Sequence, residues 1–237
     1  MHIVPQAVNP AENHLLAVLP DAEMERLLPN LELVSLALGQ VIYESGGQMS
    51  HVYFPTNSII SLLYLMENGA TAEIGVTGYE GMVGIALFMG GQTTPNRAVV
   101  QSAGHAYKMS AKALQAEFVK GGMFQQMLLR YTQALITQIS QTAVCNRLHS
   151  VEQQLCRWLL LSYDRLHSDK LVMTHTLIAN MLGVRREGIT IAAKHLQEKG
   201  IISYVRGTIT LLDRPRLEAI VCECYRVVKN EYDRLLG

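Results

Sequence analysis

The chain has 237 residues, enough for one large domain or two smaller ones with a core each, and its 49% hydrophobic and 17% charged composition is that of a globular protein. Twenty Lys and Arg balance twenty Asp and Glu, so attraction to nucleic acid or to a membrane surface would have to be local rather than a property of the whole molecule. No apolar run approaches the ~20 residues of a membrane span, and the N-terminus lacks the charged lead and apolar core of a secretion signal, so the cytoplasm is the expected compartment.

Residues 1–30 carry Pro5, Pro10, Pro20 and Pro29 around a short acidic helix over residues 21–28, with Asp21 as its cap, and read as a lead-in rather than a domain. From Leu31 to about Ser110 short β-like runs take over: residues 40–43, 51–54, 58–65, 73–76 and 97–101, separated by glycines. Many short strands with regular turn signals predict a closed or double-sheet architecture, best met by a small jelly roll. His51 and His105 fall in this region and raise the idea of a cupin-like metal enzyme. That chemistry needs a His-x-His pair followed by a carboxylate, and none of His2, His14, His51, His105, His149, His167, His175 and His195 forms one.

From Ala111 to about Asn146 the pattern is helical. Phe124, Leu128, Tyr131, Leu135, Gln138 and Thr142 recur at alternating steps of four and three, with Ile136, Ile139 and Ala143 beside them. The spacing reads as a parallel homodimer coiled-coil seam of about three heptads, with a helix packed on its own roll as the alternative. Residues 151–166 form a strongly apolar helix around Trp158, and the domain boundary falls near Asn146 to Ser150.

Residues 174–212 then read as two helices across a glycine, followed by two strands. Leu177, Ile178, Met181 and Leu182 keep helical spacing up to Gly183, and Ile189, Ala192, Ala193 and Leu196 resume it up to Gly200. Ala179 is small enough for a close crossing and Gly183 can take the positive φ that reverses the chain. The second helix leaves Arg185, Arg186, Glu187, Thr190 and Lys194 outward or at its N-terminal end, where side chains can meet base edges and phosphates. A period-two pattern follows, Ile202, Tyr204, Ile209 and Leu211, with Arg206-Gly207 as a hairpin turn. Seven basic against three acidic residues make Thr174–Arg216 locally cationic, whereas residues 1–120 carry five basic against ten acidic residues and turn DNA away from the roll.

Past Leu212, Pro215 sits in the first turn of a last helix, with Leu217, Ile220, Val221, Cys224 and Val228 on one face. Cys145, Cys156, Cys222 and Cys224 include no CxxC pair of metal spacing and read as ordinary reduced thiols, so no metal site is expected.

Ala179, Gly183 and Ile189 fall at the helix-turn-helix positions of the Crp/Fnr family of bacterial transcription regulators, and the whole 174–212 stretch resembles the family's winged helix-turn-helix. Upstream, residues 38–47 followed by 51–55 resemble the opening strands of its cyclic-nucleotide-binding-like roll, a looser likeness over most of residues 20–120. The resemblance implies an α+β fold with an N-terminal β-roll, a long dimerisation helix and a C-terminal winged helix-turn-helix. Its divisions are a lead-in (1–30), an effector roll (31–120), the dimerisation helix (121–147), the DNA-binding domain (148–213) and a C-terminal helix (214–237). It also implies a non-enzymatic regulator that binds double-stranded DNA at a near-palindromic operator, as a homodimer through residues 124–146, with RNA polymerase admissible as a further partner and no membrane partner.

Arg186-Glu187 fall on the pair with which many members read a G·C base pair, and the implied DNA-contacting set is Thr174, His175, Arg185, Arg186, Glu187, Thr190, Ile191, Lys194 and Arg206. Gly188 stands where relatives often carry Ser or Thr, and Ile191 where a base-reading Arg is common, so an altered half-site is expected. In the roll, Ile85 stands where cyclic-nucleotide-binding relatives hold the ribose with Glu, and Pro95 or Asn96 where they hold the phosphate with Arg. Arg97, one or two places off, is the only candidate anion ligand, so cyclic AMP is not expected, the effector is open and no cofactor is assigned. Members that carry an iron–sulfur cluster use cysteines mostly near the N-terminus, and here none precedes Cys145. A cupin-like metal protein and a small-molecule-sensing module without DNA function are the alternatives.

Overall fold

The computed structural model describes residues 9–166 and 168–237; Pro5, His2 and His167, named above, lie outside them. Helices α1 (His14–Ala17) and α2 (Asp21–Leu27) precede strands β1 (Glu32–Leu36), β2 (Val41–Tyr43), β3 (His51–Pro55), β4 (Ile59–Leu65), β5 (Thr71–Thr77), β6 (Arg97–Ser102) and β7 (Gly104–Ser110). The strands form two sheets, ordered β1-β7-β3 and β2-β6-β4-β5, all pairs antiparallel. Val52, Phe54, Ile59, Ile60, Val100 and Met109 are buried between them, which is the expected jelly roll.

The lead-in is more than a tether. Leu15, Leu16 and Leu27 are fully buried in the roll's core, and no side chain caps α2, Asp21 lying inside its first turn rather than at its cap. Glu23 reaches across instead, its carboxylate accepting the backbone N–H groups of Met123 at 3.0 Å and Phe124 at 2.8 Å. It thereby neutralises the amide end of a long helix that no cap of its own satisfies.

After β7 the helical stretch is broken, α3 (Ala111–Phe118) and then α4 (Gly122–Leu148), with Gly121 and Gly122 at φ of 78° and 83° turning the chain between them. On α4 the expected dimer seam is overturned. Phe124, Leu128, Tyr131, Leu135, Gln138 and Thr142 are all buried within one chain, against the roll and the C-terminal helix. Tyr131 Oη lies 2.8 Å from Thr77 Oγ1, and Gln138 accepts Val76 N–H at 2.6 Å while donating to Val76 O and to Tyr232 Oη. A Gln and a Thr at these positions therefore satisfy strand and helix groups of their own chain. A second stripe one residue further round the helix stays open: Leu129, Ile136 and Ala143, seven apart and exposed.

Helix α5 (Val151–Asp164) starts on a capping box between Ser150 and Gln153. Then come β8 (Lys170–Val172), α6 (His175–Leu182), α7 (Arg186–Glu198), β9 (Ile202–Val205) and β10 (Thr208–Leu211), with the three strands in one antiparallel sheet ordered β8-β10-β9. The expected single last helix is two, α8 (Arg214–Ile220) and α9 (Glu223–Leu236), broken where Val221 and Cys222 adopt extended backbone. Helix α9 returns along α4, its Tyr232 edge-on to Tyr131 with ring centroids 6.4 Å apart. The C-terminal domain is fastened to the roll by the buried Arg165–Glu80 ion pair at 2.7 Å, by Gln101 donating to Ser162 Oγ at 3.1 Å, and by α6 lying against β5.

Candidate nucleic-acid interface

Helix α6 begins where the Thr174 hydroxyl accepts Leu177 N–H at 3.2 Å, and ends on Gly183 at φ 66°, ψ 32°. Val184 N–H closes back on Ala179 O at 3.0 Å, the end motif that this left-handed residue makes available. The chain thus turns within three residues into α7. Ile189, Ala192, Ala193 and Leu196 are buried against α5 and α6, while Glu152 on α5 holds the far end of α7 through Lys199 at 2.9 Å and His195 at 3.1 Å.

What remains is an outward face. Arg185, Arg186, Glu187, Thr190, Ile191 and Lys194 are all exposed, as is Arg206 on the wing. Among the described residues neither Arg185 nor Arg186 takes part in an ion pair, and Lys194 meets only Glu198, at 3.6 Å, both groups in solvent. No side chain caps α7, so its first amides add to the anion-attracting end. Arg206 and Gly207 have φ of 50° and 81°, two successive positive angles as the tight hairpin turn requires. This turn sets the arginine at the tip of the wing.

Two of the expected contact residues have inward tasks. The His175 ring stacks on Tyr204 with centroids 4.3 Å apart, its Nδ1 3.1 Å from Thr190 Oγ1, and Thr190 donates to Arg186 O at 3.1 Å. Burial, and then the nearby Arg186 charge, hold the His175 pKa below the usual imidazole value, so the ring is neutral at neutral pH. It braces α6, α7 and β9 together. Thr174 is occupied as the cap of α6.

In the roll, a cavity of about 320 Å³ opens between the four-stranded sheet, the 84–91 segment and α4, lined by Leu62, Ile74, Met82, Ile85, Leu135 and Ile139 among others. Its polar corner is Tyr43, whose hydroxyl donates to Asn96 Oδ1 at 2.8 Å, with Asn96 in turn donating to Thr94 Oγ1 at 2.8 Å. No lining residue carries a charge. Arg97 is not part of the lining: it opens β6, an inner strand of the four-stranded sheet, with its Nε 3.0 Å from a Glu44 carboxylate oxygen, so in place of an anion ligand it forms a partly exposed ion pair. His51 and His105 join no group of three or more metal-ligating side chains among the described residues. One such group does exist elsewhere, Cys145, His149, Cys222 and Cys224, and motif spacing could not reveal it because its members come from segments 77 residues apart.

Two protein-family models match, a cyclic nucleotide-binding domain over residues 33–120 and a Crp-like helix-turn-helix domain over residues 153–220. No curated protein sequence matches the chain. Among solved structures it is similar to FixK2 of Bradyrhizobium japonicum (16% identity, TM-score 0.70, covering 81% of this chain and 98% of that one). It is also similar to a transcriptional regulator of the CRP/FNR family from Thermus thermophilus (20% identity, TM-score 0.64, 82% and 98%). A third likeness is to the c-di-GMP-responsive global regulator CLP of Xanthomonas campestris (16%, TM-score 0.63, 81% and 99%). At these identities the structural likenesses establish the fold.

Proposed function

The chain belongs to the Crp/Fnr family of transcriptional regulators, and from that premise we propose that it acts as a homodimer whose two α7 helices enter successive major grooves of a near-palindromic operator, about 34 Å apart. The observation that carries this reading is the α7 face, exposed along its length and bearing two arginines without acidic partners among the described residues. Arg186 donates to a guanine and Glu187 accepts from a cytosine amine, each pair worth about 1–3 kcal/mol of discrimination. Arg185, Lys194 and Arg206 hold phosphates, and Ile191, 58% exposed, meets a thymine methyl in place of a guanine.

The two copies meet along the open α4 stripe of Leu129, Ile136 and Ala143, whose seven-residue repeat is the one a parallel helix pair needs. The effector, where one acts, is a small uncharged or largely apolar molecule seated in the roll cavity, because a cyclic phosphate there would meet no cation. The role is regulatory and not enzymatic, and the compartment is the cytoplasm; no helix among the described residues is long and apolar enough to cross a membrane. Selection of bound sequences from a random duplex pool tests the proposal. Enrichment of an inverted repeat with a G·C pair in each half-site is the expected outcome, and failure to enrich any sequence at low salt overturns it.

A further inference from the structure

At the junction of α4 with the break between α8 and α9, Cys145 and His149, one helical turn apart, face Cys222 and Cys224. Cys145 Sγ lies 3.7 Å from Cys222 Sγ, Cys224 Sγ lies 3.4 Å from His149 Nδ1, and the four ligand atoms all fall within 4.8 Å of one another. The three thiols are buried and form a cluster of their own, apart from the main hydrophobic core. We propose that Cys145, His149, Cys222 and Cys224 hold a structural zinc ion.

Size is the first argument. With Zn–S near 2.3 Å and Zn–N near 2.0–2.1 Å, a tetrahedral site has S–S edges of about 3.8 Å and S–N edges of about 3.5 Å. The two measured separations match both kinds of edge. A four-iron cluster, whose ligand sulfurs surround a cube of metal and sulfide, needs them farther apart. Four protein ligands leave no position for water or substrate, which makes the site structural and not catalytic.

The surroundings are the second. His149 turns its other nitrogen, Nε2, to a Glu223 carboxylate oxygen at 3.5 Å, and Gln141 donates to Cys224 Sγ at 3.1 Å. A carboxylate behind a ligating imidazole fixes its tautomer and strengthens it as a donor. Charge is the third. Three thiolates and a neutral imidazole around a dication leave one net negative charge. Arg157, 3% exposed, donates through Nη1 to Thr142 Oγ1 at 3.0 Å, three residues before Cys145, leaves its Nε without a hydrogen-bond partner and is in no ion pair among the described residues. A guanidinium buried without an ion pair is costly, and an anionic metal site near it would offset part of that cost, as the neighbouring Glu73 does when ionised. The ion thus ties the end of α4 to the start of α9, across the joint between the two domains. This assignment is independent of the DNA-binding proposal.

The test uses the full chain, made without a histidine tag and desalted without chelator. Elemental analysis is expected to find one zinc per chain. Cys222→Ser and Cys224→Ser should hold it at least about tenfold less well against a colorimetric chelator, Glu223→Gln about 10–100-fold less well, and Cys156→Ser, in the main core, as well as the parent. Because a cysteine variant can fail to fold, cobalt exchange into the parent chain gives a second readout, with thiolate charge-transfer bands and the intense red-region absorption of a tetrahedral site expected. Absence of zinc, iron with broad visible absorption, a Cys145–Cys222 disulfide in protein isolated anaerobically without reductant, a cobalt spectrum lacking thiolate bands, or equal loss from Cys156→Ser each overturns the assignment.

Discussion

Trp158 donates its indole N–H to Glu73 Oε1 at 3.0 Å, joining the floor helix of the DNA-binding domain to β5 of the roll. Glu73 is 7% exposed and its second oxygen has no partner. Burial pushes its pKa up to about 7, and the nearby Ser61 hydroxyl, the charge of Arg157 and the Trp158 bond offset this only in part. A carboxyl raised in this way binds a proton in the folded state over a range where the unfolded chain has released it. Stability due to this group is therefore greatest below the unfolded value, falls as pH rises from about 4.5 to about 7, and levels off above. Thermal unfolding of Glu73→Gln, compared with the parent from pH 5 to 8, should lack this slope; an unchanged slope refutes the role given to Glu73.

Arg186→Ala should leave salt-dependent binding to random duplex intact and remove preference for the selected operator, a loss of about 1–3 kcal/mol per half-site. Competition of operator against random DNA in a mobility-shift assay measures it. Full retention of preference would reassign base reading to other residues of α7.

The two faces of α4 separate by substitution. Ile136→Asp places a charge on the open stripe and should convert the dimer to a folded monomer in sedimentation, with little change in chain stability. Leu135→Ala removes a buried side chain and should cost about 2–5 kcal/mol of stability instead. The reverse pattern would restore the buried set as the dimer seam.

A Cβ on Gly81 would lie 2.2 Å from the Tyr131 ring, which is fully buried and held at its hydroxyl by Thr77. Gly81→Ala should destabilise the roll by about 1–3 kcal/mol, read from denaturant midpoints. Gly207→Ala, with open space around its Cβ but φ of 81°, strains only the wing and should impair DNA binding more than folding.

Cyclic AMP at millimolar concentration should leave the melting temperature unchanged. A ligand present at 100 times its Kd stabilises by about 2.7 kcal/mol, so a clear upward shift would reinstate an anion site in the roll.

The helix-turn-helix was legible because everything that makes it is local: a glycine that must take φ of 66°, a small residue at the crossing, and a face of charge left over when the apolar positions are assigned. The strands β1 and β7 were harder. Neither alternates cleanly, and Glu32 and Lys108 on them form a cross-strand pair at 3.0 Å that a linear reading cannot see. On α4 two apolar stripes run side by side, and periodicity reports a stripe without naming what covers it; the buried one proved to face Val76, Thr77 and Tyr232 of its own chain. The break at Val221–Cys222 carries no proline or glycine, and the cysteine–histidine group it serves is assembled from two distant segments.

The docking of α6 on the roll has a consequence for how a signal could travel. Thr71 Oγ1, at the tip of the β4–β5 hairpin, donates to Asn180 O at 3.3 Å, and Ala72 lies where a Cβ on Gly183 would touch it at 3.5 Å. The turn between α6 and α7 thus rests on the same hairpin whose middle bounds the roll cavity at Leu62 and Ile74. A tilt of that two-stranded lever would be handed straight to the helix turned toward DNA, a path from the cavity that does not pass through α4.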